Sequence, residues 1–446
     1  MISNAIMANI TLPNFFSDNM VLQRNSEITI WGWANTSEEV IIIPSWNNKE
    51  YKVKANTQAQ WQLKVPTPKE GGPYSILIKG YNEIVLKNIL IGEVWLCSGQ
   101  SNMEMSANWG IKNGQEETQK ANYPNIRFFT VEKATATSPQ NNLSGNWKVC
   151  TPETMKNFSA AAYFFAKRIQ EDLKNVPIGM INSSWGGTPA EIWIPENIIQ
   201  NNEELSTAAK KINPTEYGPM EPARAYNAMI HPLVGFKIAG ILWYQGENNV
   251  GATSYKVTFS ALINSWRNLW KEDLPFYFVQ ISPFNYGGNK DSGVIIRDAQ
   301  RQTLQLVNTG MVVTSDISTI DDIHPKDKIS VGIRLANLAL ANIYKTNTAL
   351  VNSPVFRAIK IEKNKVLVHF DYAEGLHFGT KKTNQFEIAG ADNVFYISKS
   401  EIKNNEVILY SDKVKNPTRI RFAWGNTIQS DLFNKANLPA SSFITD

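Results

Sequence analysis

The segment VWLCSGQSN (residues 94–102) is an apolar run that ends in a small, polar turn. Four consecutive apolar residues are typical of a strand that is buried on both faces, as in a parallel sheet covered by helices. Gly99 permits a tight turn directly after this strand. Because a parallel sheet binds its ligands beyond the carboxyl ends of its strands, the residues after this turn are candidate functional residues.

Five more compact apolar runs follow along the chain, and helical patterns lie between several of them. The helical patterns repeat their apolar residues every three or four positions. Buried strands that alternate with helices predict a mostly parallel sheet covered on both faces. The further predicted strands are residues 126–131, 178–182, 238–244, 276–281 and 311–314, and the predicted helices are residues 158–173, 255–270 and 329–344.

Both ends of the chain lack long helical patterns and have short strands separated by turn residues, which is typical of a β-sandwich or jelly roll. We therefore predict three regions: an N-terminal β-sandwich domain at 8–88, an α/β catalytic domain at 89–347, and a C-terminal β-rich region at 348–446. The predicted end strands are residues 27–33, 40–44, 61–65, 74–79 and 83–86, then 366–370, 385–388, 394–397, 406–409 and 418–422.

The composition excludes several classes of protein. The chain has 446 residues and a net charge of +4, and its basic residues are dispersed, so no surface for nucleic acid or an anionic membrane is expected. No run of 18 apolar residues predicts a spanning helix. The two cysteines cannot form a cysteine-rich zinc site or a disulfide framework. We also expect no metal and no cofactor. Cys97 and Cys150 could pair, although a buried thiol at Cys97 is the safer interpretation.

Polar or small residues follow the strands at the edge where a ligand would bind. Ser101 could be a nucleophile whose own N–H helps to hold an oxyanion, or it could cap a helix. Gly186 and Gly187 could donate their N–H groups to an oxyanion, or they could form a glycine-rich turn. The side-chain amide of Gln245 could donate in the same way, or it could belong to a polar turn.

Asp321 and His324 follow the last predicted strand and are three residues apart. The carboxylate could reach one ring nitrogen while the other nitrogen faces outward, as in a Ser-His-Asp triad, although His324 could also be a solvated loop residue. Of the other histidines, His231 is expected to be structural, with a possible place in a pocket wall, and His369 and His377 belong to the β-rich tail. A nucleophile, a base, an orienting carboxylate and oxyanion donors at one edge of a sheet predict an enzyme.

Several blocks of sequence together resemble the sialate O-acetylesterase family of the SGNH hydrolase superfamily. The resemblance implies a flavodoxin-like three-layer α/β/α esterase domain with accessory β domains, and it extends over nearly the whole chain. The blocks are GEVWLCSGQSNM at 92–103, SWGGTPAEIW at 184–193, WYQGEN at 243–248 and DDIHP at 321–325, together with FFSDNMVLQR at 15–24 and NLPASSFITD at 437–446.

The resemblance also implies roles for these residues. Ser101 would be the nucleophile, His324 the general base and then acid, and Asp321 its orienting residue, with Asp322 as the competitor. The oxyanion donors would be the N–H of Ser101, the N–H of Gly186 or Gly187, and the side chain of Gln245, with Asn248 as the alternative to Gln245. Substrate contacts are expected from six residues: Gln100, Trp185, Glu247, Asn248, Arg224 and Asn227.

The resemblance implies removal of acetyl groups from O-acetylated sialic acid, with acetylated xylan or another plant glycan as the alternative substrate. A sialate carboxylate would require a cation, for which Arg224 and Arg297 are candidates. Two other hypotheses stay open: a glycoside hydrolase that uses Glu191 and Glu247, and a non-catalytic glycan-binding protein. No signal peptide is visible at the start of the chain, but we expect a periplasmic or extracellular enzyme; the sequence does not determine its oligomeric state.

Overall fold

The computed structural model describes residues 9–380 and 383–445. Residues 1–8, on which the signal-peptide prediction falls, lie outside these ranges. The N-terminal region is rich in strands, and the five strands predicted there are present. Its strands are β1 (Val21–Gln23), β2 (Glu27–Trp33), β3 (Glu39–Pro44), β4 (Tyr51–Lys54), β5 (Gln60–Pro66), β6 (Gly71–Lys79) and β7 (Glu83–Gly99).

Strand β7 is a single strand of 17 residues that joins the N-terminal region to the central sheet. Its first part pairs with β6 in the antiparallel direction, and its last part lies between parallel strands of the central sheet. The predicted strands 83–86 and 94–97 are therefore parts of one strand, and the predicted boundary between residues 88 and 89 falls inside it. The polar residues Lys87 and Asn88 interrupt the apolar pattern there, which hides the continuity from the sequence.

The central sheet has the strand order β13-β12-β11-β7-β10-β8-β9. All neighbours along this path are parallel except β9, which is antiparallel to β8. Gly99 at the end of β7 is in register with Ser184 on one side and Tyr244 on the other, so three strands end at the same level. The remaining strands of this path are β8 (Tyr123–Thr130), β9 (Trp147–Cys150), β10 (Ile178–Ser184), β11 (Gly240–Tyr244), β12 (Phe276–Val279) and β13 (Thr309–Val312).

Helices cover both faces of this sheet, which confirms the predicted three-layer α/β/α architecture. Along β11, Trp243 packs into the apolar cluster that contains Phe259 of one face, and Leu242 packs into the cluster that contains Phe165 of the other. The three predicted helices are present, and a further helix at 292–303 was not predicted. The helices are α1 (Ser101–Glu104), α2 (Gly114–Lys120), α3 (Pro152–Met155), α4 (Ala160–Asp172), α5 (Glu196–Gln200), α6 (Glu203–Ala209), α7 (Tyr255–Trp270), α8 (Ser292–Thr303) and α9 (Lys328–Asn342).

The C-terminal region is built from antiparallel sheets with an apolar core of its own. Arg297 of α8 is buried and donates to the main-chain oxygens of Gly425 and Asn426, which ties this region to the part of the chain that forms the central sheet. The strands are β14 (Val355–Glu362), β15 (Lys365–Asp371), β16 (His377–Phe378), β17 (Phe386–Ala389), β18 (Tyr396–Ile397), β19 (Lys399–Lys403), β20 (Glu406–Tyr410), β21 (Arg419–Phe422), β22 (Leu432–Phe433) and β23 (Phe443–Ile444).

The two cysteines are buried free thiols, so they do not form a disulfide. Burial raises the pKa of the Cys150 thiol to about 12. Within the described ranges, no helix is both long enough and apolar enough to cross a membrane.

Candidate active site

The turn after β7 is held by both neighbouring strands. The N–H of Gln100 donates to the main-chain oxygen of Tyr244 at 3.0 Å, and the N–H of Trp185 donates to that of Gly99 at 3.0 Å. Gly99 has a φ of +132°, and a Cβ at this position would lie 2.2 Å from the oxygen of Tyr244. Only glycine therefore fits this turn, which presents Ser101 at the edge of the sheet.

Ser101 and His324 are 223 residues apart in the sequence and are brought into contact by the fold. The Oγ of Ser101 lies 2.8 Å from the Nε2 of His324, a hydrogen-bond distance. His324 is half-buried in the loop between β13 and α9, and the ring of Trp109 meets it edge-on with 6.1 Å between ring centres. The main-chain N–H of Ser101 has no acceptor in the described part of the chain. This pair has the geometry of a nucleophile with its general base.

The carboxylate next to His324 in the structure is that of Asp322. Its Oδ1 accepts the main-chain N–H of His324 at 2.9 Å, which is an Asx turn across two residues. Asp321, which the sequence favours, is exposed and makes no hydrogen bond to the His324 ring within the described ranges. The Asx turn uses the main-chain N–H of His324, and neither aspartate is hydrogen-bonded to the His324 ring in the described structure, so the role of Asp321 stays a prediction.

Gly186 lies against the nucleophile, since a Cβ built on it would be 3.3 Å from the Cβ of Ser101. Its N–H donates to the Oε2 of Glu104 at 2.7 Å, and the other oxygen of Glu104 pairs with Lys133 at 2.6 Å. The neighbouring Gly187 has a φ of +72° and an N–H with no acceptor among the described residues. The N–H of Gly186, one of the two predicted oxyanion donors, is therefore already hydrogen-bonded to the Glu104 carboxylate.

The side chain of Gln245 makes its hydrogen bonds inside the protein. It is fully buried, its amide donates to the Oδ1 of Asn249 at 2.7 Å and to the main-chain oxygen of Thr188 at 3.2 Å, and its oxygen accepts from Tyr255. Asn248 is only half-buried and uses one amide N–H, to the oxygen of Gly187 at 2.8 Å. Asn248 therefore has an amide hydrogen to spare close to the glycine pair, whereas Gln245 has none.

A buried polar network lies beneath the Ser101–His324 pair. The amide nitrogen of Asn102 donates to Glu247 at 2.6 Å and to the main-chain oxygen of Ile323 at 3.0 Å, and its oxygen accepts from Lys328 at 2.6 Å. Burial raises the pKa of Glu247 and lowers that of Lys328 to about 7, while the charge of Glu247 opposes the second shift. Asn102 thus links the helix that carries Ser101 to the loop that carries His324.

The comparisons with known proteins decide the family. Residues 91–341 match the family model described as a carbohydrate esterase, sialic acid-specific acetylesterase. The chain belongs to this family. It is therefore a carbohydrate esterase, a hydrolase, and it carries the mixed α/β fold of that family with added β regions.

Relatives resemble this esterase along almost its whole length. A sialate O-acetylesterase of Pongo abelii is 28% identical over 97% of this chain and 91% of its own length. The corresponding human protein is 29% identical over 84% of this chain and 79% of its own. A crystal structure of a carbohydrate acetylesterase from Xanthomonas citri is 35% identical, covers 98% of this chain and 99% of its own, and superposes with a TM-score of 0.88.

Only some of the predicted substrate residues of the esterase lie at the site. Trp185 is half-buried beside Gly186, and the ammonium of Lys133 lies 5.8 Å from its ring centre. Gln100 is buried, and its side-chain oxygen accepts the N–H of Asn248 at 3.1 Å, which holds the turn after β11 rather than facing solvent. Glu247 is buried in the network with Asn102, so it supports the site from below.

The remaining predicted contacts are used elsewhere in the fold. Arg224 pairs with Glu221 at 2.6 Å, and Arg297 is buried against the C-terminal region. Asn227 is buried and donates to the oxygen of Ala136 at 3.0 Å. None of the three contacts the residues around Ser101 in the described structure. The basic group beside the nucleophile is Lys133, which the sequence did not single out because nothing in its surroundings along the chain distinguishes it.

The positions of Glu191 and Glu247 do not fit the glycoside hydrolase hypothesis. Glu191 is buried, its carboxylate accepts from the amide of Asn249 at 2.9 and 3.2 Å, and burial raises its pKa. Glu247 is buried beneath Ser101 as described. A glycosidase needs both carboxylates to face one sugar-binding cleft, and these two instead hold buried amides.

The environment of His324 predicts the pH dependence of the esterase. Burial lowers the pKa of His324 below its ordinary value of 6.5, the Lys328 ammonium lowers it further, and the Asp322 carboxylate opposes both. If the neutral ring takes the serine proton, activity is present above this pKa and is lost as the pH falls through it. We expect the acid limb of kcat/KM for an aryl acetate to have its midpoint below pH 6.5, and a midpoint above 7 would contradict this assignment.

A charge-removing variant tests the cause of that shift. Lys328→Met removes the positive charge beneath His324 and is expected to move the midpoint to higher pH. Lys326→Met is the matched control, because Lys326 is exposed on the same loop, and it should leave the midpoint unchanged.

Proposed function

We propose that this chain is a serine esterase that removes O-acetyl groups from carbohydrate through an acetyl-enzyme. The observation that carries the proposal is the 2.8 Å contact between the Oγ of Ser101 and the Nε2 of His324 at the edge of the sheet. The free N–H of Ser101 and the glycine pair beside it supply the donors that ester hydrolysis requires.

The proposed reaction has two halves. His324 takes the Ser101 proton while Oγ attacks the ester carbonyl, and the tetrahedral intermediate collapses as His324 returns the proton to the leaving sugar oxygen. The acetyl group then remains on Ser101. Water attacks it with His324 again as the base, and acetate and the free serine hydroxyl are released.

The oxyanion donors in this proposal are the N–H of Ser101, the N–H of Gly186 or Gly187, and the amide of Asn248. Asn248 replaces the predicted Gln245, because both amide hydrogens of Gln245 are donated inside the protein. If the N–H of Gly186 takes part, the ester oxygen displaces the Glu104 carboxylate that it now holds. The N–H of Gly187 needs no such exchange.

A pair of matched variants tests whether Asp322 or Asp321 is the carboxylate that assists His324. Asp322→Asn is expected to lower kcat by about 100- to 10,000-fold, because it removes the carboxylate that contacts the His324 loop and stabilises the imidazolium. Asp321→Asn, with an exposed carboxylate, should change kcat by less than about threefold. The reverse result in steady-state assays would restore the assignment that the sequence favours.

The proposed substrate is O-acetylated sialic acid, on the strength of the matching family and its sialate O-acetylesterase relatives. In this case Lys133, rather than either predicted arginine, would face the sugar carboxylate. The second candidate is a neutral acetylated glycan such as acetylxylan. The specific observation in its favour is the Glu104 carboxylate beside Ser101, which repels an anionic sugar and neutralises Lys133.

Two measurements test the proposed function. An aryl organophosphonate should inactivate the enzyme and add its mass to the peptide that contains Ser101; a label on another residue would exclude the serine mechanism. Acetate release is then compared on 9-O-acetylated sialic acid and acetylated xylan. Faster turnover of the sialic acid supports the first substrate, and turnover of xylan alone supports the second.

The location stays a prediction. A periplasmic or extracellular enzyme would meet acetylated glycans outside the cell. Fractionation of the source cells with an antibody against this chain tests it.

A further inference from the structure

A cleft of about 520 Å³ lies between the N-terminal strands and the catalytic domain. A volume of this size is within the range of small-molecule and oligosaccharide sites, which is about 300–1,000 Å³. Neither Ser101 nor His324 is among the residues that line it. The cleft is therefore distinct from the site of ester hydrolysis.

One wall of the cleft is the outward face of the ribbon formed by β2 and β5. Trp31 is in register with Gln62, and Trp33 with Gln60, so two indole–amide pairs share one face. Ile28 and Ile30 alternate with these residues and are buried on the opposite face. Both tryptophans remain half-buried, and both glutamines are exposed, so the apolar rings of this face are open to a ligand.

The two tryptophans have different surroundings. The ring of Trp31 packs against Phe15 and Phe16, with centres 5.3 and 4.8 Å apart, so its position is fixed by the core. Trp33 has no aromatic neighbour within the described ranges. A flat, rigid ring with an open face and a polar N–H suits contact with a flat ligand that has apolar and hydroxyl-bearing surfaces.

The opposite wall comes from the catalytic domain and includes Gln140, Asn141 and His231. The Nδ1 of His231 lies 2.8 Å from the main-chain oxygen of Gln140. Because a carbonyl oxygen only accepts, Nδ1 carries the hydrogen, and Nε2 of the neutral ring is left as an acceptor. This wall therefore presents amide and imidazole groups that match sugar hydroxyls.

The charge of the cleft indicates the class of ligand. Among the described residues that line it, Lys54 is the single basic side chain beside the histidine, and no carboxylate is present. Side chains of Gln60, Gln62 and Asn141 make no hydrogen bond to other described residues, so their donors and acceptors are open. Indole faces combined with uncharged amides are the chemistry that binds a neutral polyhydroxylated ring.

We propose that this cleft is a second glycan-binding site, which takes an uncharged oligosaccharide with sugar rings against Trp31 and Trp33 and hydroxyls on the opposed amides. The site holds a glycan chain on the enzyme independently of the chemistry at Ser101. It goes beyond the proposed esterase function, since it assigns a binding role to the N-terminal strands and to His231.

The test is direct binding to the full chain by isothermal titration, with cellohexaose, xylohexaose and maltohexaose as neutral probes and sialyllactose as the anionic probe. We expect at least one neutral hexasaccharide to bind, and Trp33→Ala to weaken its affinity by tenfold or more. Gln62→Ala, at an exposed position, should weaken it severalfold. Sialyllactose should bind at least tenfold more weakly than that hexasaccharide.

Controls separate this site from the catalytic one. Tyr81→Ala removes an aromatic ring of the same region that is 59% exposed and outside the cleft, and it should leave binding unchanged. Ser101→Ala should also bind normally, and Trp33→Ala should hydrolyse aryl acetate at the normal rate. Failure of all three neutral probes to bind, or equal binding by Trp33→Ala and the unmodified chain, would overturn the proposal whether or not the esterase mechanism holds.

Discussion

Ser101→Ala is expected to lower kcat for an aryl acetate by about 10⁴- to 10⁶-fold, with little change in KM. The hydroxyl is the only group of the protein that forms a bond to the acetyl carbon in the proposed mechanism. Without it, His324 has no nucleophile to deprotonate, and the oxyanion donors alone give a small residual rate. Steady-state kinetics at pH 7.5, together with loss of phosphonate labelling, measure the effect.

Ser98, in the strand β7 that precedes Ser101, provides the matched control. Ser98 is fully buried three residues before Ser101, and its Oγ has no hydrogen-bond partner in the described structure. Ser98→Ala therefore removes the same group, a serine hydroxyl, without breaking a hydrogen bond and should keep kcat within about twofold of normal. If Ser101→Ala retained a tenth of the normal kcat, the serine mechanism would be wrong.

Asn248→Ala is expected to give the second large effect, a fall in kcat of about 100- to 1,000-fold with KM nearly unchanged. This is the usual cost of one oxyanion donor, since the amide hydrogen bonds strengthen as negative charge develops on the carbonyl oxygen. Asn248 is partly exposed, so the variant should fold with a melting temperature close to normal. Pre-steady-state acetylation measured with a chromogenic acetate isolates this step.

Gln245 provides the contrast. Gln245→Ala leaves the main-chain oxygen of Thr188 without its partner and removes one of two hydrogen bonds from Asn249 and from Tyr255, and a buried group left unpaired costs about 1–3 kcal/mol of the free energy of unfolding. Its main effect should therefore be a lower melting temperature. If Gln245→Ala instead lost kcat at an unchanged melting temperature while Asn248→Ala stayed active, the donor would be Gln245, as the sequence suggests.

Much of the fold could be predicted because buried strands and helices leave short-range patterns. The runs ending near Cys97, Asn182 and Tyr244 are strands because every residue in them is apolar or small and both faces are covered. Helix α8 was not predicted, since some of its buried residues are polar: Arg297 donates to the C-terminal region, and Gln300 accepts the N–H of Ile281 beside the central sheet. Polar residues that are buried in this way do not produce an apolar period.

The candidate site, like the fold, could be predicted only in part from the sequence. Ser101 and His324 could be proposed together because each follows a strand of one parallel sheet, and such strands end at a common edge. The choice between Asp321 and Asp322, or between Gln245 and Asn248, depends on which way neighbouring side chains point. Sequence order does not contain that direction, because a turn or a strand end rotates each residue according to its tertiary contacts.

The sequence by itself determined the α/β architecture, the family resemblance, and the pairing of a serine with a histidine beyond the strand ends. Only the tertiary structure decided that Glu104 and Lys133 stand beside the nucleophile, that Asn102, Glu247 and Lys328 support it from below, and that Trp31 and Trp33 face a cleft shared with His231. The physical reason is that periodicity along the chain records which residues are buried, whereas hydrogen bonds and ion pairs between distant segments form only after the sheet has set the distances between them.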